Sequence, residues 1–504
     1  MIPTQSDNAP YISVILAARN DNHGGNMLGR MQASLDSWME QARRYELPSE
    51  IVVVEWNRPS ERPRLIEDLR WPSDPGPCTV RFIEVSPELH WSFPNAPAIP
   101  LHQMIAKNVG IRRARGRFVL ATNLDIVFSP DLMRFFAERR LEEGVMYRMD
   151  RHDVASEIPS GGPLEQLLRF CQGNILRVFA RGGSFDLDAE GLRTPEARDI
   201  LSADSGIRLG DGWYTPESDS REWFRWVETE AEIVFHRPEG IAPSLLMDAE
   251  VGPSAGAGPL PLEVVDASGT VLAYGQLKGR GLWRLRMPSD VASGRFRLRA
   301  HEGNLPLRHG PRLLNLRLYG LRWEIVSSGV PESCAWALDE LHSTPGSVWI
   351  GSGEEPSPAA AFMHRSRYLH TNACGDFTLL ARNHWFDLRA YPEFPIWPMH
   401  IDSLFCYAAH HAGIREEILR PPLRIFHVEH LSGAGWTPEG QEELAARVAR
   451  KRVSTIGYPD VMKWIDQMRR FDAPMIFSPS TWGLADVELP ETTLPASAAG
   501  SVRG

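Results

Sequence analysis

The absences in this chain narrow it first. No cysteine pattern is present: Cys78, Cys171, Cys334, Cys374 and Cys406 are odd in number, widely spaced and contain no CxxC. That excludes a disulfide framework and a cysteine-rich zinc site, and predicts reduced thiols. No apolar run approaches the length of a membrane span. Met1–Pro10 is polar and lacks the charged-then-apolar order of a secretory signal. Positive charge is not in excess: 54 Lys and Arg stand against 64 Asp and Glu, for a net charge of −10. Nucleic acid is therefore not an expected partner. Neither a Gly-rich dinucleotide fingerprint nor a Walker lysine motif occurs. Together these absences predict a cytoplasmic protein, with peripheral association at the inner face of a membrane left open.

What is present is the composition of a soluble globular chain, 43% hydrophobic and 23% charged over 504 residues, enough for two or three domains. Sixteen tryptophans are many, and indole faces suit the apolar side of a pyranose ring, which favours a carbohydrate ligand.

The first 130 residues alternate strand and helix patterns. Tyr11–Ala17 is β-prone, and Met27–Tyr45 carries Met27, Met31, Leu35, Trp38, Met39 and Ala42 near helical spacing. Glu50–Val54 and Val80–Val85 read as strands, His102–Arg113 as a helix and Phe118–Ala121 as a buried strand. This alternation predicts crossover units and a parallel sheet. Polar residues gather after three strands: Arg19 to Asp21, Glu55 with Asn57, and Asn123 with Asp125. In open α/β sheets that edge binds ligands. Asn123 and Asp125 are two apart, so in extended chain they face one side and suit a hard divalent cation. The alternative is that Asp125 only caps a turn.

Val145–Asp153 reads as a strand whose Arg148, Asp150, Arg151 and Asp153 form a surface ion-pair strip, a pocket wall being the alternative. Residues 222–330 are short alternating runs, predicting a β-sandwich of roughly 110–120 residues. Val264–Val271 carries a hairpin signature. The sandwich is read as a spacer or acceptor platform, sugar binding being the sharper alternative. In Leu423–His430, His427 and Glu429 share a strand face, and His430 points the other way unless the strand ends. Met475–Gly504 is small and polar and is expected to be disordered.

Lys107–Phe118 matches the pattern N-x-G-x-x-x-A-x-G and leads into a DXD-like Asn123-Leu124-Asp125, with Asn in the first acidic position. Tyr11–Asn22 followed by Glu50–Asn57, then Arg382–Phe386, Tyr391-Pro392 and Trp397–Phe405, continue the likeness. In these segments the chain resembles GT-A glycosyltransferases of family 2 type. The resemblance implies an α/β, GT-A (Rossmann-like) nucleotide-sugar domain interrupted by an all-β, jelly-roll-like sandwich. It divides the chain into 1–210 (nucleotide half), 211–333 (inserted sandwich), 334–474 (acceptor half and C-terminal helices) and the tail 475–504.

The implied activity is metal-dependent, inverting hexosyl transfer from a UDP- or GDP-sugar to a glycan, glycolipid or small glycoside, as in polysaccharide biosynthesis. Asp402 is implied as general base, and Asp125 with His427 as ligands of Mn²⁺ or Mg²⁺. Ala18, Arg19, Asn20, Glu55, Asn57, Lys107, Asn108, Arg112, Asn123, Leu124 and Asp376 are implied around the donor. Among these, Arg19, Lys107 or Arg112 would face phosphate and Glu55 the base or ribose. The rival reading is a non-catalytic carbohydrate-binding protein with a degenerate nucleotide half. A nucleotidyltransferase would need a Gly-rich, lysine-bearing loop that Ala17–Gly25 does not supply.

Overall fold

Ile12–Ala18 (β1) and Ser49–Trp56 (β2) are buried at every position, as uniformly apolar strands must be when a sheet is covered on both faces. The computed structural model describes residues 9–324, 369–430 and 446–494, apart from 160, 195, 197, 202–204, 220–221, 240–243, 257, 287–290, 301–311 and 447. It contains two compact units, Met1–Ala180 with His370–Gly504, and Arg181–Leu369.

In the first unit β1 pairs in parallel with β2 and with β4 (Phe118–Thr122), and β2 with β3 (Cys78–Val85). Their C-terminal ends therefore share one edge. Antiparallel strands flank this core: Phe377–Ala381 lies between β4 and β6 (Val145–Met149), and Glu491–Leu494 pairs with β3. Helix α1 (Met27–Arg44) sets Met31, Leu35 and Trp38 in one apolar cluster with Ile12, Val14 and Leu16. The Gln103–Arg113 helix also packs on β1. A Cβ at Gly110 would lie 2.5 Å from Ile15 Cγ2, so the glycine of the N-x-G pattern is what permits that approach. A second sheet places Ile425–Val428 between β5 (Ile126–Phe128), antiparallel, and β7 (Arg151–Val154), parallel, with β8 (Ile175–Ala180) outside β7.

The second unit stacks two five-stranded antiparallel sheets over one core, with Ile233, Phe296 and Leu298 from one sheet and Met247, Leu285 and Leu318 from the other. The hairpin at Val264–Val271 forms as its turn chemistry predicts. Asp266 accepts from the backbone of Ser268 and Thr270, and Gly269 takes φ +89°.

Three expectations are corrected. The α/β, GT-A (Rossmann-like) fold class is not what the chain adopts: among the described residues strand makes up 34% and helix 23%, in four sheets, so the described chain is predominantly β. Beyond residue 145 most strand pairs are antiparallel, and the second unit has no α-helix among its described residues. The first unit boundary falls at 180/181 and not 210/211, because Ile207–Leu209 pairs with Glu230–His236 in the second unit. The 333/334 boundary lies outside the described residues. The tail expected to be disordered instead supplies Glu491–Leu494 as an edge strand, tied by Glu491 to Arg81 at 2.8 Å.

No helix among the described residues is long and apolar enough to cross a membrane. Cys78, Cys171, Cys374 and Cys406 are buried free thiols.

Candidate metal centre and its buried charge network

β4 ends at Thr122, whose hydroxyl donates to the Asp376 carbonyl at 2.6 Å. The chain then turns through Asn123-Leu124 into Asp125. The Asp125 carbonyl accepts from Val428 N at 3.1 Å, which fixes the turn against the end of the Ile425–Val428 strand. The strand stops at Val428, so His430 is released from strand alternation and swings back toward Asp125. Asp125 Oδ2 lies 3.4 Å from His430 Nε2, 3.8 Å from His427 Nε2 and 3.4 Å from Arg30 Nε.

Asp125 is 5% exposed. Burial opposes its charge, but His427, His430 and Arg30 hold its carboxyl well below the usual range. Burial and Arg151 oppose protonation of His427, whereas Asp153 and Asp125 raise it to about 9. His427 Nδ1 is 3.0 Å from Asp153 Oδ1.

Asp125, His427 and His430 bring three ligand atoms within 4.8 Å of one another. Bonds of about 2.1 Å at right angles would set such atoms about 3 Å apart, so small side-chain shifts suffice to close on an ion. The buried Nδ1 of His430 has no hydrogen-bond partner, which leaves that ring free to settle on its Nε2 side. Two imidazoles and one carboxylate fit Mn²⁺ better than Mg²⁺.

Arg151 ties this cluster to the rest of the edge. It donates to Asp376 Oδ2 at 2.8 Å and to Asp153 Oδ2 at 3.1 Å, and stacks on Phe179. Asp376 Oδ1 accepts from Asn123 Nδ2 at 2.5 Å, and Asn123 Oδ1 accepts from Lys107 Nζ at 2.8 Å. Lys107 also donates to the Gly375 carbonyl, and a Cβ at Gly375 would lie 3.0 Å from Asp402 Oδ2. Asp402 stands in the first turn of the Ile401–His411 helix, its Oδ1 accepting from Ser403 N. The expected surface ion-pair strip is corrected: Arg148 and Asp153 are buried and Arg151 is 12% exposed at its side chain, because the segment through Phe377–Ala381 lays the His370 carbonyl and Thr378 on Arg148 and Asp376 on Arg151.

Asn123 in place of the first DXD carboxylate has a structural reason. Lysine can only donate, so Oδ1 must face Lys107 and the amide nitrogen must face Asp376. A carboxylate there would oppose Asp376 at 2.5 Å. Asn123→Asp is expected to destabilise the protein by roughly 1–3 kcal/mol without tightening Mn²⁺ binding. Urea midpoints and metal titration check it, and a stable variant with tighter binding would refute this account.

Several other predicted residues are placed elsewhere or held in structural bonds. Lys107 is fully buried, with burial pushing its ammonium down against the pull of Asp376 and Asp402, so it positions Asn123 instead of meeting phosphate. Asn108 bonds Tyr391 N, Tyr391 O and Glu393. Arg112 stacks over Trp482 at the opposite end of its helix. Asn20 donates to Asp68 and to the Pro63 carbonyl, and Leu124 packs on the core. Ala18, Arg19, Glu55 and Asn57 do stand at the shared strand edge, with Arg19 Nε donating to the Asn57 carbonyl and Asn57 to that of Pro100.

Glu55 is buried and accepts from Leu65 N, and burial raises its carboxyl to about 7. Its folded pKa lies above the unfolded one, so its contribution is full below about pH 4.5 and is lost as pH rises through about 7. Glu55→Gln removes this dependence. Relative to wild type, the variant is expected to gain roughly 2–3 kcal/mol between pH 4.5 and 8, and parallel wild-type and variant stability curves would contradict this.

Sequence reasoning did not select Arg30, and gave Asp153 no place at the metal. Arg30 sits on the first turn of α1, held by the carbonyls of His23 and Gly25. A basic residue on an otherwise core-facing helix position was the available signal.

No protein-family profile matches this chain, and no curated protein matches it. Among solved structures, a family 43 arabinoxylan arabinofuranohydrolase from Bacillus subtilis, in complex with cellotetraose, aligns at 8% identity and TM-score 0.17, over 27% of this chain and 29% of that one. Tandem family 51 carbohydrate-binding modules of a family 98 glycoside hydrolase from Streptococcus pneumoniae align at 12% identity and TM-score 0.15, over 30% and 36%. The chain thus spans 29% of the one structure and 36% of the other, and likeness at this level carries no argument about activity.

Proposed function

We propose that this chain is a metal-assisted, inverting glycosyltransferase that moves a sugar from a nucleotide diphosphate to a hydroxyl of a glycan, glycolipid or small glycoside. The observation that carries the reading is the convergence of Asp125, His427 and His430 beside the strand edge that also presents Arg19, Glu55 and Asn57. Asp402, on a separate helix, adjoins the same network through Gly375. The motif resemblance of Lys107–Asp125 to family 2 glycosyltransferases supports the same reading.

Asp125, His427 and His430 would hold the ion, which when bound supplies Lewis-acid stabilisation to the departing diphosphate. Arg30 balances the buried Asp125 charge from the protein side. Asp402 takes the proton from the acceptor hydroxyl as its oxygen attacks the anomeric carbon. Attack opposite the leaving diphosphate inverts that carbon. Lys107, Asn123, Asp376 and Arg151 keep the two carboxylate-bearing elements in fixed register.

A panel of UDP- and GDP-sugars, each with Mn²⁺ or Mg²⁺, tests the reading by released nucleotide and by binding calorimetry. Metal-dependent binding of one donor is the expected result. Failure of every donor to bind or turn over with either metal would remove it.

A further inference from the structure

The metal centre described above uses one nitrogen of His427; the other is already committed. Nδ1 faces Asp153 Oδ1 at 3.0 Å while Nε2 faces Asp125. The pairing is built into the sheet: His427 and Asp153 are register partners on adjacent parallel strands, so their side chains emerge on one face. Asp153 is itself fixed. It is 1% exposed; its Oδ2 accepts from an Arg151 terminal nitrogen at 3.1 Å, and its Oδ1 lies 2.8 Å from Arg151 Nε in an ion pair. Arg151 is clamped on its far side by Asp376, which Asn123 holds in turn.

Resting on the proposed metal role, we infer that Asp153 is a positioning residue for His427: it accepts the Nδ1–H, fixes the tautomer and aims Nε2 at the ion. A neutral imidazole carries one proton, and with Asp153 as an acceptor-only partner that proton stays on Nδ1. Nε2 is then the free lone pair. A carboxylate on the distal nitrogen also raises the basicity of the ligating one, and loss of such partners commonly costs 10- to 100-fold in metal affinity. Arg151 and Asp376 extend the same support, since they hold Asp153 against rotation. Asp153 thus contributes to metal affinity without touching the ion or the substrate.

The test is Mn²⁺ affinity of the full chain, measured by calorimetry and by the paramagnetic resonance signal of free Mn²⁺. Asp125→Ala should abolish binding, and Asp153→Asn should weaken it roughly 10- to 100-fold. Glu50→Gln is the structural control: Glu50 forms a comparably buried pair with Arg81 at 2.9 Å, at the opposite end of the parallel strands, and its loss should leave Mn²⁺ affinity unchanged. Absence of Mn²⁺ binding in the wild type would overturn the metal reading itself. Normal binding in the wild type with Asp153→Asn within about threefold of it, or Glu50→Gln weakened as much as Asp153→Asn, would overturn the positioning role alone. Should Asp153→Asn fail to fold, wild-type protein loaded with diamagnetic Zn²⁺ and labelled at histidine nitrogen carries the question. A protected Nδ1–H on His427 supports the inference, and a proton on neither nitrogen or a metal on Nδ1 refutes it.

Discussion

Asp125→Asn is expected to lower turnover by about 10²- to 10³-fold, the range seen when a principal electrostatic stabiliser is removed from an active site. Among the described residues, Asp125 is the carboxylate facing both His427 Nε2 and His430 Nε2, at 3.8 and 3.4 Å. Neutralising it removes the anionic donor of the cluster and leaves two imidazoles, too weak a set for a hard divalent ion. The same change leaves Arg30 beside a neutral amide, so thermal unfolding must be measured alongside. Removing one partner of a buried pair costs about 3–5 kcal/mol in the worst case, and the amide recovers part of that by hydrogen bonding. The diagnostic outcome is loss of Mn²⁺-assisted UDP or GDP binding in a variant that remains folded. Turnover within tenfold of wild type, with metal dependence intact, would take Asp125 out of the centre.

Asp402→Asn should reduce kcat by about 10²- to 10⁴-fold with donor affinity nearly unchanged, as loss of a general base does. Asp402 lies on the Ile401–His411 helix, whereas the proposed metal ligands lie on the β4–β5 turn and at the end of Ile425–Val428. The preceding His400 adopts φ +60°, a left-handed conformation that starts the helix abruptly and sets Asp402 in its first turn beside Gly375. One oxygen already accepts from Ser403 N, so the asparagine can keep that bond and the helix should persist. A split between kcat and donor Kd therefore separates base chemistry from folding. An equal fall in both, or no fall in kcat, would remove Asp402 as the base.

The two variants probe opposite ends of one chain of contacts. From Asp402 it passes by Gly375 and Lys107 to Asn123, Asp376, Arg151, Asp153 and His427, and so to Asp125. Charges alternate along it, so each buried ion has an opposite neighbour and the desolvation cost of burial is partly offset at every step.

How much of this was legible beforehand follows from range. β1, β2, β3, β4 and α1 were readable from apolar periodicity, because strand and helix period are properties of neighbours a few residues apart. Asp125 was readable as a candidate ligand from its place at a strand end, and His427 only through the resemblance to family 2 glycosyltransferases. The antiparallel placement of Phe377–Ala381 between β4 and β6 was not, since it joins segments more than 200 residues apart. That one pairing buries Arg148 and Arg151, turns an expected surface strip into the interior support of His427, and explains Asn123. The fate of the tail was hidden for the same reason: Glu491–Leu494 is polar and short, and only the open edge of β3 with Arg81 on it makes a strand of it.

By itself, then, the sequence determined the local elements and the strand edge where Asp125 and the other polar residues gather. The tertiary structure alone decided which charges meet. Released by the end of its strand at Val428, His430 turns onto Asp125, and Asp153 takes the far nitrogen of His427, because strand register and not residue spacing sets distances between buried groups.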